Sequence, residues 1–313
     1  MEVNDFLKDQ SLTNAVDSTE NKHELQVGTY KKYISHSQAV LYSTCALQYY
    51  FRYIEKIPSK QFSGPVFGTT VHKVMELFFK AKLHDKQTLR SDILKDSFKD
   101  LWSKAGKAPD LMYSKSDVDF DTLAAKGPIL MEAAVEKFKL LDPICVEQDF
   151  LIPIIDPFTN QEVSPIYLKG QIDLIAKDPL GDGVNIYDHK CVAKTYSQSD
   201  VDRNDQLTTY AYAYRQLHKQ NETACVFNCF VKTKVPKIEV LSTVRSKADV
   251  NWMIKYYKYV IDGIQNKVWT PRKSEKCAGC SYFLLCKEWG NKQDIVPVAA
   301  PMPEPITEES SDD

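Results

Sequence analysis

Asp188 and Lys190 stand two residues apart in the stretch IYDHKCV, which begins at Ile186 and is apolar and β-prone before them. Because side chains alternate along a strand, these two residues share one face, and Tyr187 and His189 take the other. A strand that enters a core does not carry a carboxylate and an ammonium on one face without a reason. The pair therefore raises the question of what that face contacts.

The segment before it, GQIDLIA, reads as another strand and contributes Asp173. If the turn in DPLGDG is centred between Leu180 and Gly181, antiparallel pairing places Asp173 directly opposite Asp188. Like charges about 5 Å apart repel each other, and a divalent cation between them would remove that penalty. Carboxylate oxygens suit Mg²⁺ or Mn²⁺. The alternative is two solvent-facing aspartates beside an ordinary surface lysine.

Three further polar residues have helical spacing. In QLTTYAYAY, Gln206 and Tyr210 are four residues apart and share one face of a predicted helix over 200–220. In GTTVHKVME, His72 stands four residues before Glu76. On the residues alone, Gln206 and Tyr210 are also consistent with packing, and His72 with a surface pair to Glu76.

Taken in chain order, these residues form four short motifs: GxxxH, GxID, DxK and QxxxY. This order and spacing resemble the RecB-like branch of the PD-(D/E)XK nucleases over roughly residues 35–290. One departure is that Asp188 stands where many nucleases carry Glu. The residues that carry the resemblance are Gly68 and His72, Asp173, Asp188 and Lys190, and Gln206 and Tyr210.

The resemblance implies a role for each of these positions. Asp173, Asp188 and His72 would be metal ligands, with the main-chain carbonyl of His189 completing the shell. Lys190 would orient or help to deprotonate the attacking water, or steady charge on the phosphate. Gln206 and Tyr210 would support the site or contact the DNA backbone. Glu147, in the strand CVEQDFLIPIID, is a candidate for an additional acidic member.

The activity implied is that of a metal-dependent DNA exonuclease, since a bound cation lowers the pKa of water and stabilises charge on the phosphate. Members of this nuclease branch that carry an iron–sulfur cluster favour single-stranded ends, and the resemblance implies action in recombination, repair or phage DNA processing. No GxxxxGK[ST] motif is present, so unwinding would need a helicase or recombination partner. The alternative is a non-catalytic, DNA-end-binding scaffold. Candidate phosphate contacts are Lys194, Lys232, Lys234 and Lys237.

Three of the eight cysteines are clustered, because Cys277, Cys280 and Cys286 follow a C-x2-C-x5-C pattern. The CxxC pair indicates a metal that lacks one ligand, and Cys45 is the candidate for it. This arrangement resembles the 4Fe–4S staple of AddB-type and CRISPR-associated RecB-like nucleases, although Ala46 follows Cys45 where Pro is frequent. A zinc site and unligated thiols remain alternatives. The other four cysteines are expected to pack in the core.

Composition is that of an ordinary globular protein, and the distribution of charge decides whether a phosphate-binding partner is possible. The chain is 43% hydrophobic and 26% charged, with a net charge of −2. Six acids and no Lys or Arg occur in 293–313, so residues 1–292 carry a net charge of +4. This balance permits phosphate binding. No secretory signal or membrane-spanning run is expected, which predicts a cytoplasmic protein with no membrane partner.

Hydrophobic periodicity predicts an α/β (α+β) fold with a mixed sheet flanked by helices, and the resemblance implies that this fold is restriction-endonuclease-like. Before the sheet, the predictions are a flexible arm over 1–30 and a helical region over 31–140, which carries His72 and Cys45. The nuclease core is predicted over 141–245. A C-terminal helix and cysteine clip follow over 246–290, and a disordered acidic tail over 291–313.

Overall fold

A computed structural model describes residues 32–113, 117 and 119–291. The predicted arm over 1–30 and all but the first residue of the predicted tail lie outside the described residues. The centre of the fold is a mixed sheet of six strands. Its strands are β1 (Tyr33–Ser35), β4 (Pro143–Ile152), β5 (Tyr167–Lys177), β6 (Val184–Val192), β7 (Ala224–Val231) and β8 (Lys237–Thr243).

The order of the sheet places β5 and β6 near its middle. β5 pairs antiparallel with β4 on one edge and with β6 on the other, while β6 and β7 are parallel and β7 and β8 antiparallel. The parallel step from β6 to β7 requires a crossover, and helices supply it. Both predicted aspartates therefore lie on adjacent central strands.

The pairing of β5 with β6 ends close to these aspartates. Leu174 pairs with Tyr187, and the register continues through Lys177 and Val184, so the turn is centred where the sequence predicts it. Beyond Leu174 the two strands separate, and β1 pairs with the first residues of β5, from Tyr167 to Lys169, instead. The next positions, Asp173 and Asp188, therefore lie where the two strands diverge.

One face of the sheet is covered by three long helices. Phe67 and Phe98 are fully buried there with Trp102, and their rings pack edge to face or stacked. The helices are α3 (Ser63–His84), α4 (Ser91–Ala105) and α5 (Phe120–Phe138). The short strand β2 (Gln61–Phe62) comes before α3 and pairs with β3 (Leu111–Met112), which lies between α4 and α5. α3 begins at Ser63, before the start after Gly68 that the sequence predicts.

The opposite face is covered by the two helices of the crossover, by a helix that follows β1 and by a helix that follows β8. The single helix predicted over 200–220 is two helices, because Asn204 has extended dihedrals and its side chain accepts from Gln206 N and Leu207 N. This cap starts a new helix. The helices of this face are α1 (His36–Thr44), α6 (Gln198–Asp202), α7 (Asp205–His218) and α8 (Lys247–Gln265).

The predicted capping box at the start of α1 is present, because Ser35 and Gln38 exchange hydrogen bonds of 3.3 and 2.8 Å. α1 ends at Cys45, which is extended, and the chain then forms α2 (Ala46–Tyr49) and a π-helical turn (Tyr50–Ile54).

Phe51 of the π-helical turn packs with Trp269 and Tyr282 in a small separate core. A 3₁₀ turn (Glu275–Gly279) and α9 (Phe283–Trp289) complete the described chain. None of the helices in the described ranges has the length and hydropathy of a membrane span. The mixed sheet with helices on both faces confirms the predicted fold class.

Packing between α4 and α5 has no room for a side chain at Gly127, where an added Cβ would lie 1.9 Å from the Phe98 ring. Gly127→Ala should lower the free energy of unfolding by about 1–3 kcal/mol, because the ring and helix must move apart. Chemical denaturation checks this, with Gly181→Ala as the matched control, since its Cβ meets only ordinary contact at 3.6 Å. Equal stability of the two variants would contradict the packing described.

Candidate active site

Asp188, Lys190 and Gln206 form a closed polar network on one face of β6. Lys190 Nζ donates to Gln206 Oε1 at 2.6 Å and lies 2.8 Å from Asp188 Oδ2. Gln206 Nε2 donates to Asp188 Oδ1 at 2.9 Å and to the Tyr210 hydroxyl at 2.8 Å. The Asn204 cap places Gln206 in the first turn of α7, with Tyr210 one turn later. The face shared by Asp188 and Lys190 therefore contacts the start of α7.

The network holds Lys190 as an ammonium. Burial lowers the pKa of Lys190, but the Asp188 carboxylate outweighs this effect, so the net shift is upward. The side chain is 22% exposed. Lys190 thus presents a fixed positive charge at the edge of a buried acidic site, which suits the stabilisation of an anion better than the removal of a proton.

Where β5 and β6 diverge, the Asp173 carboxylate accepts a hydrogen bond from β6 in place of a backbone carbonyl of β5. Its Oδ2 accepts from the backbone N–H of His189 at 2.7 Å, and His72 Nδ1 lies 3.5 Å from the same oxygen. Burial, followed by the Asp188 carboxylate, raises the pKa of Asp173 to about 6. Asp173 and Asp188 are only 8% and 1% exposed. Solvent-facing aspartates are therefore excluded.

His72 faces the sheet and not its helical neighbour. Its Nε2 lies 2.6 Å from the main-chain oxygen of His189, whereas Glu76 pairs with Lys80 at 2.6 Å. The His189 side chain lies on the face of β6 opposite Asp188 and Lys190, where it stacks on Phe79 and its ring centroid is 5.8 Å from that of His72. The structure therefore brings together the imidazole and the carbonyl that the resemblance implies as ligands.

Glu147 joins this group from β4. The register of β4 on β5 places Glu147 across from Asp173, and Glu147 has a left-handed φ of 55°, which costs energy for a residue with a Cβ. Burial, and then the Asp173 and Glu76 carboxylates, raises its pKa to about 8. Both the left-handed backbone and the burial of the carboxyl group at Glu147 therefore lower the stability of the fold.

His72, Glu147 and Asp173 each offer a ligand atom, and these atoms lie within 4.8 Å of one another. An imidazole with two carboxylates is a donor set for Mn²⁺ or Mg²⁺. Asp188 is outside this group of three, and its buried Oδ2 lies 2.8 Å from the Lys190 ammonium. A cation relieves the repulsion between the carboxylates, so the residues fit one.

Of the lysines predicted to contact phosphate, Lys232 is in a different environment from the one expected. It is buried, pairs with Asp117 at 2.7 Å and lies over the Phe67 ring, so it is not a free surface cation. Lys237 pairs with Glu239, while Lys194 and Lys234 are exposed. The strand pattern could not reveal the partner of Lys232, because Asp117 is distant in sequence.

Sequence reasoning did not identify His36, the first residue of α1. Burial, and then the nearby Lys190 ammonium, lowers its pKa to about 4, and its Nδ1 is buried without a partner among the described residues. The only available signal was its place beside the Ser35 cap.

The four cysteines predicted to bind a cofactor come from the two ends of the described chain. Arg272 joins two of them, because its N–H donates to Cys45 Sγ at 3.5 Å and its carbonyl accepts from Cys277 Sγ at 3.8 Å. Burial, and then the other three thiols, raises the pKa of Cys286. However, no three thiols in the described ranges lie close enough to hold one ion, and no disulfide joins them. The described residues therefore contain no preformed cage of thiols, and the structure does not support the predicted 4Fe–4S cluster.

A family model for the PD-(D/E)XK nuclease superfamily matches residues 33–287. The chain belongs to this superfamily. The match includes every strand of the central sheet and all the residues of the candidate site, so the restriction-endonuclease-like fold and membership of the nucleases are established together. The family implies DNA as the partner.

Two solved structures resemble the chain at low identity. A crystal structure of a protein from Eubacterium rectale, named as a candidate exonuclease, shares 14% identity with a TM-score of 0.48, covering 86% of this chain and 91% of that one. The structure of SSO0001 shares 12% identity with a TM-score of 0.38, covering 91% and 96%. No curated protein matches the chain.

The raised pKa of Glu147 predicts how pH changes stability in the absence of metal. Because about 8 lies above the ordinary value of 4.5, the folded chain binds this proton more tightly than the unfolded chain does. In chelator, this contribution is fully present below pH 4.5 and is lost as pH rises to about 8. The melting temperature of the wild type should therefore fall relative to that of Glu147→Gln over this range.

Thermal melts with chelator across this range check the expectation, with Glu162→Gln, a change at an exposed Glu, as the matched control. Mn²⁺ should restore the wild type at high pH and have less effect on Glu147→Gln. Parallel pH profiles for the wild type and Glu147→Gln would contradict the account of this carboxyl group.

Proposed function

We propose that the protein is a divalent-metal-dependent deoxyribonuclease that hydrolyses phosphodiester bonds at single-stranded DNA ends, as an exonuclease. One observation carries the proposal. Three strands and α3 bring His72, Glu147, Asp173 and Asp188 together at the divergence of β5 and β6, with the Lys190 ammonium beside them. An ammonium next to a cation site suits a phosphate that carries negative charge.

His72, Glu147 and Asp173 would hold the metal, and Asp188 and the His189 carbonyl lie next to them as further oxygen donors. A bound Mg²⁺ or Mn²⁺ lowers the pKa of water and neutralises charge that develops on the phosphate. The protein's own contribution is to exclude bulk water from this pocket and to keep the carboxylates in place. The backbone N–H of His189 holds Asp173 in its orientation.

Lys190 would bind a phosphate oxygen, since its raised pKa keeps it charged. Gln206 would position it, because its amide bonds both Lys190 and Asp188 and is itself held by Tyr210. Gln206 and Tyr210 therefore act through Lys190 and Asp188 and do not need to touch the substrate.

We place this chemistry in a core over 141–245, with His72 contributed by the helical region over 31–140. Action in recombination, repair or phage DNA processing, with a helicase or recombination partner, is part of the proposal. Support comes from the family, from the RecB-like motifs and from the charge balance of the chain.

The nuclease assay uses labelled single-stranded DNA with Mn²⁺ or Mg²⁺. Asp173→Asn should abolish cleavage, and Lys190→Met should lower its rate by about 10²–10³-fold through loss of a charge at the phosphate. Gln206→Ala should lower it by about 10–100-fold, as is typical of outer residues that orient ligands. Asp182→Asn, a change at an exposed turn aspartate, is the matched control.

A wild type that binds DNA but never cleaves it with either metal would indicate the non-catalytic scaffold. Full activity in both Asp173→Asn and Lys190→Met would contradict the assignment of the site.

We further propose that Cys277, Cys280 and Cys286 of the clip over 246–290 bind a 4Fe–4S cluster together with Cys45. A single zinc ion with Zn–S bonds of about 2.3 Å holds its thiolates about 3.8 Å apart, whereas no three thiols of the described residues lie within 4.8 Å of one another. A 4Fe–4S cube carries its thiolates on outer corners, which are more widely spaced. The electrostatic effect of the other three thiols on Cys286, and the contacts of Arg272 with Cys45 and Cys277, support the proposal.

Protein purified without oxygen should be brown, with four irons and equal sulfide per chain. Cys286→Ser and Cys45→Ser should lose colour and iron together and melt at lower temperature, because the closed loop spans most of the chain. Cys145→Ser, at a cysteine outside the clip, is the matched control. A colourless protein with stoichiometric zinc, or with no metal, would contradict the cluster.

A further inference from the structure

A groove lies between α1, α8 and the segment that leads to the 3₁₀ turn, away from the carboxylates of the site. Its volume is about 670 Å³, and its walls include Tyr42, Trp252, Lys255, Tyr256, Tyr259 and Arg272. Three of these residues are aromatic side chains of α8, at spacings of four and three, so they share one face of that helix. We call this cavity the aromatic groove.

Two of the three aromatic rings are displayed to solvent. Trp252 is 58% exposed and Tyr259 is 72% exposed, although the other face of α8 is buried in the main core. Trp252 and Tyr256 stack at 5.6 Å with an angle of 7° between their planes. Ser43 Oγ lies 3.0 Å from the Tyr256 hydroxyl and anchors that ring to α1. The groove therefore presents flat apolar faces on a rigid base.

The charged residues of the aromatic groove are both basic. Lys255 and Arg272 line it with no carboxylate among the lining residues, and neither makes an ion pair with a described residue. Exposed aromatic faces interleaved with unpaired cations are the surface that a single nucleic-acid strand requires, since bases stack and phosphates need positive charge. A duplex offers no free base faces.

The aromatic groove adjoins a second cavity that reaches the start of α7. This cavity of about 580 Å³ shares Ser43, Tyr256 and Arg272 with the groove and extends to Asp205, the residue before Gln206. This second cavity has mixed charge, with Glu275 and Asp205 against Lys276 and Arg272. α1 follows the same route: its first residue, His36, lies near Lys190, and its nine residues span about 13 Å.

We propose that the aromatic groove binds the single-stranded part of the DNA substrate, with bases stacked on Trp252 and Tyr259 and phosphates near Lys255 and Arg272. This inference rests on the proposed function, because the strand leads from the groove to the phosphodiester at Lys190. The groove determines preference for unpaired DNA, whereas the carboxylates perform hydrolysis.

The experiment measures binding of a labelled oligothymidylate to the full-length protein by fluorescence anisotropy, with chelator present so that no strand is cleaved. Trp252→Ala and Tyr259→Ala should each weaken binding by about tenfold, and Trp252→Phe should retain most of it, because a phenyl ring still stacks. Lys255→Gln should reduce the dependence of log K on log salt by about 0.7.

The matched controls are Leu180→Ala, at a 95% exposed apolar residue of the β5–β6 turn, and Lys137→Gln, at an exposed residue of α5. Neither should change binding. A duplex of the same length should bind with no dependence on Trp252. Circular dichroism confirms that each variant is folded.

Binding that is unchanged in both Trp252→Ala and Tyr259→Ala would overturn the inference, as would an equal loss for the duplex. The outcome is separate from that of the nuclease assay. A protein that binds the strand through the groove but does not cleave it would refute the proposed function and leave the groove assignment intact.

Discussion

The mutual repulsion of buried carboxylates is the constraint on which the rest of the site depends. Asp173 and Asp188 are almost fully buried, and Glu147 lies across from Asp173 on the next strand. Burial, together with the neighbouring carboxylates, raises the pKa values of Asp173 and Glu147, so ionisation of these two groups destabilises the folded chain. A fold that retains this arrangement has a use for a cation there, because a divalent ion converts the repulsion into attraction.

The fold supplies this arrangement by ending a strand pair early. Where β6 leaves β5, the Asp173 carboxylate takes the backbone N–H of His189 in place of a carbonyl, and the His189 carbonyl is free to face His72. The opening admits ligands from two neighbouring strands and one helix. The Asn204 cap then starts α7 so that Gln206 reaches Asp188 and Lys190. The site thus depends on where the β5–β6 pairing stops and on where α7 begins.

Much of the site could be predicted, because the turn centre and strand alternation determine that Asp173 and Asp188 are adjacent. The direction of His72 could not, since it depends on how α3 packs on the sheet. Glu147 was named only as a candidate, because its left-handed backbone is invisible in an alternating pattern. The environment of Lys232 could not be predicted, because its partner Asp117 is remote in sequence. The break at Asn204 was detectable, as Asn is a strong N-cap.

The central claim is that His72, Glu147 and Asp173 hold one divalent cation beside Asp188. Crystals grown with Mn²⁺ and measured at an X-ray wavelength where manganese scatters anomalously test it directly. The account predicts a strong anomalous peak in contact with the His72 ring nitrogen and the Asp173 carboxylate, and its disappearance in Asp173→Asn crystals. A Mn²⁺-bound crystal with its peaks elsewhere and none between these residues would contradict it.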